Sequence, residues 1–181
     1  MASSLISLVH RAAWQRLPRS LRRSVVFSLA DLLAPSISQG RSTERGPIIV
    51  IGALRTASGL GESARLCHDA LKILGVPVFG IDIGPTLMQS DDVDFEWPDG
   101  GFVAEPATLS VHVSGSVMPL AMLRLPRKLI RRSRVIGYWA WELPRIPCGW
   151  LRGMRFVHEI LVPSTFAPQS RFPTASWSTL K

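Results

Sequence analysis

What the chain lacks narrows its chemistry before any motif is read. Only two of its 181 residues are cysteines, Cys67 and Cys148. Two are too few for a disulfide framework or, by themselves, for a metal site, and the count suits a reducing cytosol. No apolar run approaches the ~18 residues needed to cross a bilayer. The short apolar run at residues 5–9 has no basic residue ahead of it, which argues against a secretory signal. Acidic residues are scarce, 13 Asp and Glu against 21 Lys and Arg, for a net charge of +8. That balance implies an anionic partner or surface without choosing between nucleic acid, phospholipid and sugar phosphate. A nucleic-acid partner is not expected, since no binding motif is present and the aromatics lie away from the basic cluster of Arg124, Arg127, Lys128, Arg131 and Arg132. Composition is otherwise that of a globular chain, 46% apolar and 19% charged. Its length suffices for one domain with a sizeable core.

The chain is organised around residues 47–75. Pro47-Ile48-Ile49-Val50-Ile51-Gly52 reads as a fully buried strand. A glycine-bearing loop follows, then a helix on which Leu60, Ala64, Cys67, Leu71 and Leu74 form one apolar stripe while Glu62, Arg65, Asp69 and Lys72 project elsewhere. Cys67, on that stripe, reads as a small core residue. Gly75 ends the helix, and residues 76–82 start a second strand. Strand, loop, helix and strand make one βαβ unit, the building block of a parallel sheet. Ser58 is a candidate helix N-cap. Gly59 and Gly61 carry no Cβ to keep a ligand from the backbone, and a helix start favours a phosphate or sugar hydroxyl. The plain alternative is a tight turn that binds nothing. Two familiar phosphate motifs are absent: Gly52, Gly59 and Gly61 do not fall as G-x-G-x-x-G, and Gly61 is followed by Glu62 rather than Lys.

Residues 1–46 differ in character. Seven arginines face only Asp31 and Glu44. Leu5, Val9, Ala13 and Leu17 mark one helical face, and after Pro18 the residues Leu21, Val25, Leu29 and Leu32 mark another. Such a basic amphipathic segment reads as membrane-surface binding or as a helix pair packed on the sheet with solvated arginines. Residues 35–47 read as a linker. Further on, Asp92-Val93-Asp94 is a D-x-D pair able to carry a divalent cation by hard oxygen ligation; a solvated acidic loop explains it equally. Residues 109–113 alternate as a third strand, placing His112 near a carboxyl end, where open α/β sheets hold ligands. It reads as a sugar-binding group or base, or as a satisfied buried histidine. Pro126 should split residues 118–130 into two short turns. Residues 134–141 read as a fourth strand and 158–162 as a fifth, with Trp139 and Glu142 read either as a sugar platform and hydroxyl acceptor or as core and ion-pair residues.

Three motifs in order, ASGLGESARLCHDAL, Tyr138-Trp139-Ala140-Trp141-Glu142-Leu143-Pro144 and Val157-His158-Glu159-Ile160-Leu161-Val162-Pro163-Ser164, give residues 46–168 a likeness. The stretch resembles the amino-terminal half of bacterial family-4 glycosyltransferases that build surface polysaccharides. The resemblance implies a GT-B architecture with a Rossmann-like, mostly parallel α/β domain at 47–168 that holds a glycan or lipid-linked acceptor. It implies a nucleotide-sugar as donor substrate, no metal and no resident cofactor. Substrate contacts would fall on Ser58, Gly59, Leu60, Gly61, Glu62, His112, Trp139 and Glu142. The tail, 169–181, is expected to be irregular and does not resemble the family's donor domain, so transfer by this chain alone is not expected. The likeness places it in the cytoplasm, peripherally on the inner face of the plasma membrane. A non-catalytic membrane-surface protein, and a metal-dependent transferase using Asp92 and Asp94, are the alternatives.

Overall fold

The computed structural model describes residues 18–37, 46–141, 146–163 and 176–179. Helix α1, Arg19–Leu33, begins directly after Pro18, whose fixed φ suits the position before a first helical turn. Strand β1 (Ile48–Gly52) leads through a loop to α2 (Gly59–Ile73) and β2 (Val78–Asp82). Strand β3 (Thr108–Val111) is followed by α3 (Met118–Arg124) and α4 (Arg127–Arg132). Then come β4 (Arg134–Tyr138), the one-turn α5 (Cys148–Leu151), a 3-10 turn at Arg152–Phe156 and β5 (Glu159–Val162). A sixth strand, β6 (Ser176–Thr179), lies in the tail, where no regular element was expected. No helix among the described residues is long and apolar enough to cross a membrane.

The strands form one sheet in the order β2-β1-β3-β4-β5-β6, with every neighbouring pair parallel. This is a Rossmann-like α/β fold, as the alternation of strands and helices implies. From β1 the chain moves outward to β2 and then returns to the other side of β1 for β3, so the sheet reverses direction between β1 and β3. Central strand β1 is covered on both faces, which explains its unbroken apolar sequence. Ile49 and Ile51 enter the larger core with Met118, Met122, Leu129 and Ile130 of α3 and α4. Val50 enters the smaller core with Leu54, Ala64 and Val78. Removing each such aliphatic side chain from water contributes about 1.5–3 kcal/mol before entropy is counted. Pro126 splits α3 from α4, as its missing N–H requires. At the sheet's edge, Gly80 N–H donates to Pro98 O at 2.8 Å, so the chain around residue 98 covers the rim of β2.

Two helical faces depart in part from the sequence reading or decide between its alternatives. On α2 the expected stripe holds at Ala64, Cys67 and Leu71, which pack on the smaller core, but Arg65 and His68 are buried as well and Leu74 is 75% exposed. The helix is rolled toward the loop before it, and Arg65, expected to project away from the core, is interior. On α1, among the described side chains, the buried residue is Ala30, and Leu21, Leu29 and Leu32 face solvent, Leu32 at 78% exposure. Asp31 on α1 pairs with Arg155 at 3.5 Å, holding the helix in that orientation against the Arg152–Phe156 turn.

Candidate functional site

The carboxyl ends of β1 and β3 flank the point where the sheet reverses, and at such points loops on either side diverge to leave a crevice. One wall is the loop at residues 53–58 with the first turn of α2. The other is the segment from His112 to Val117.

The loop is held from several sides. Asp82, at the carboxyl end of β2, accepts the Leu54 N–H at 2.8 Å and the Gly84 N–H at 3.1 Å. Thr56 donates its hydroxyl to Ser90 O at 2.9 Å. Arg65 donates through Nη1 to Leu54 O at 2.9 Å and Thr56 O at 3.0 Å. Its other nitrogens reach Glu62 Oε2, at 3.2 Å from Nε and 2.5 Å from Nη2. A buried guanidinium is tolerable here because its donors meet carbonyls and a carboxylate. Glu62, expected as a ligand contact, is therefore engaged in orienting Arg65. The i, i+3 spacing of Glu62 and Arg65 was the available signal, one that usually marks a solvated helix pair.

Ser58 caps α2 as expected, its Oγ accepting the Gly61 N–H at 3.1 Å. The two glycines play unequal parts. A Cβ on Gly61 would stand 2.6 Å from both Ala53 O and Thr56 O, so this glycine lets the helix close onto its own loop. That contact, rather than ligand access, accounts for it. At Gly59 nothing lies within 4 Å of the place a Cβ would occupy, and the residue is exposed. The backbone at the start of α2 is open there to an approaching group. Leu60 beside it is half-buried.

Across the crevice, His112 is 3% exposed. Its Nδ1 lies 2.9 Å from Ser63 Oγ and its Nε2 3.1 Å from Ser110 Oγ, and its ring stacks on Tyr138 with centroids 4.8 Å apart. Burial lowers its pKa to about 4, so the ring is neutral near pH 7, with one nitrogen donating and the other accepting. The satisfied-histidine reading describes its geometry, with hydroxyls rather than a carboxylate as partners. Ser63 also donates to Leu60 O at 3.0 Å, and it then accepts from Nδ1–H. His112 thus fixes the half-buried Ser63 on the first turns of α2. Burial raises the Cys67 thiol pKa, with a Ser110 hydrogen bond opposing the shift. Ser63, Ser110, Tyr138, Arg65 and Asp82 were not read from sequence as ligand contacts, since most of what they touch lies on other elements.

Trp139 is fully buried in the larger core, edge-on to Trp150 at 5.6 Å. A Cβ on Gly115 would come within 2.9 Å of its ring and one on Gly137 within 2.7 Å, so the chain leaves room for this side chain on both sides. A sugar cannot stack on it, and the expectation of a ligand platform at Trp139 is corrected to a core role. Its indole Nε1 has no partner among the described residues. Glu142 lies outside the described residues. Asp92 accepts a short hydrogen bond from the Ser90 hydroxyl. Asp91 pairs with Arg55 at 3.6 Å. No group of three or more His, Cys, Asp or Glu that could hold a metal ion occurs among the described residues.

The fold is that of a Rossmann-like α/β domain, with the exposed Gly59 backbone and the Ser63–His112 pair beside its sheet reversal. The chain matches no protein-family model, no curated protein and no solved structure.

Proposed function

We propose that this domain is the acceptor-side half of a GT-B glycosyltransferase related to the family-4 enzymes, working on a glycan or lipid-linked acceptor at a membrane surface. The open backbone of Gly59 at the start of α2, set beside the Ser63–His112 pair at the sheet reversal, carries this reading. A helix start presents N–H groups and a positive dipole end to a phosphate or a sugar hydroxyl. The loop below it is anchored before any ligand arrives, so little ordering accompanies binding. In the intact architecture the nucleotide-sugar occupies a facing domain, and the sugar passes to an acceptor hydroxyl while fixed dipoles stabilise the departing diphosphate. The neutral His112 keeps Ser63 oriented for a hydrogen bond to that acceptor. The location proposed with it is peripheral, on the inner face of the plasma membrane.

The test is an amide NMR titration with oligosaccharides, sugar phosphates and lipid-phosphate-linked glycans. Shifts should concentrate at Gly59, Leu60 and Ser63 and at residues 112–117. Gly59→Leu should weaken binding without unfolding the chain, since the added side chain enters open space. Shifts confined to other surfaces, or equal affinity after that substitution, would remove the assignment.

A further inference from the structure

An opening lies away from the sheet reversal, where α1 meets the start of α3 and the Arg152–Phe156 turn. It is a cavity of about 540 Å³ lined by Ser24, Phe27 and Ser28 of α1, Ser116 and Pro119, and Arg152, among others. That volume falls within the range of small-ligand sites. None of the described residues lining it is acidic. Three hydroxyls and a guanidinium over an apolar floor suit a phosphate carrying short polar groups.

What lies beside the cavity identifies the source of that phosphate. Leu21, Ser24, Ser28 and Leu32 follow one another at helical spacing, so the cavity serines sit in a single row between two leucines. Val25 and Leu29 form the neighbouring row. Leu21 is 47%, Leu29 51%, Leu32 78% and Leu33 57% exposed. The apolar rows cannot turn inward, because Ala30 is packed on the core and Asp31 is paired with Arg155. The sequence that carries them is basic: residues 1–46 hold seven arginines against two acids. A soluble phosphate would leave the leucines in water, whereas a bilayer meets both features together, with headgroups over Arg152 and the serines and acyl chains against the leucines.

We infer that α1 is a membrane-contact helix and that the cavity behind it receives the anionic phosphate headgroup of a bilayer lipid. The inference rests on the peripheral location proposed above and is independent of glycosyl transfer. The chain is to be sedimented with phosphatidylglycerol vesicles and with phosphatidylcholine vesicles at physiological salt. Wild-type chain should bind the former preferentially. The double change Leu29→Glu, Leu32→Glu should lower the partition constant by about tenfold or more, with an unaltered circular-dichroism melt because both leucines are exposed. Arg152→Gln should lower phosphatidylglycerol binding about fivefold, while Arg127→Gln, an exposed arginine outside the cavity, should change it far less. Equal losses for the two arginine variants would replace the cavity with general charge attraction and overturn the headgroup site. Wild-type binding to phosphatidylglycerol that survives both the leucine and the Arg152 changes would overturn the helix and cavity assignment while leaving the peripheral location standing. Failure of the wild type to bind either vesicle would remove both. Saturable binding of millimolar glycerol 3-phosphate by a wild type that ignores both vesicles would show a soluble phosphate, not a lipid, to be the ligand.

Discussion

Replacing Arg65 by Met tests whether the crevice wall is held as described. The substitution keeps an unbranched, apolar stem in the buried position and removes every donor. Thr56 O would retain the Ser58 N–H at 2.9 Å, whereas Leu54 O would lose the 2.9 Å bond from Arg65. An acceptor stranded in this way costs about 1–3 kcal/mol, and the second lost bond adds about 1 kcal/mol. The expected destabilisation is therefore about 2–4 kcal/mol. Glu62 provides the contrast. Its side chain is 57% exposed and returns to water when its partner is lost, so Glu62→Gln should cost under about 1 kcal/mol. The double variant should match Arg65→Met within about 0.5 kcal/mol, since Glu62 acts on the loop through Arg65. Urea unfolding at pH 7 of all four proteins measures these differences, and hydrogen exchange at residues 53–58 should accelerate with Arg65→Met. An Arg65→Met protein within about 0.5 kcal/mol of wild type, or no weaker than Glu62→Gln, would refute the clamp.

Two further outcomes follow from the same site. Gly61→Ala should destabilise by about 1–3 kcal/mol, because the methyl group meets two backbone carbonyls that cannot rotate away; Gly59→Ala, in open space on a helix, should stabilise by about 0.4–1 kcal/mol, and thermal melts that rank the two alike would contradict the distinction. His112 should make stability pH-dependent. Its folded pKa of about 4 lies below the ordinary 6.5, so the unfolded chain binds the proton first, and the contribution, whole above pH 6.5, fades as pH falls toward 4. The gap corresponds to about 3 kcal/mol at most. The wild-type urea midpoint should therefore drop more steeply than that of His112→Asn between pH 7 and 4.5, and parallel profiles would show the ring to be uncoupled from folding.

Local order in this chain was legible from residue order alone. The apolar run at 48–51, the serine cap at Ser58, the helix stop at Gly75, which adopts φ of 72°, and the break at Pro126 all depend on neighbours within a turn or a strand. Their alternation was enough to specify a parallel sheet. Interactions between distant segments were not legible. A stripe of leucines records that a helix is amphipathic but not which way it is rolled. On α2 the roll follows from Gly61 closing on the loop, and on α1 from Ala30 and the Asp31–Arg155 pair, 124 residues apart. The same limit applies to single residues. His112 acquires one partner 49 residues away at Ser63, beside a near one at Ser110 on β3, and Trp139 becomes core because Gly115 and Gly137 leave space around it. Sequence records which groups can bond or pack; folding brings them within reach, and burial then decides which are withdrawn from a ligand and which remain open to one.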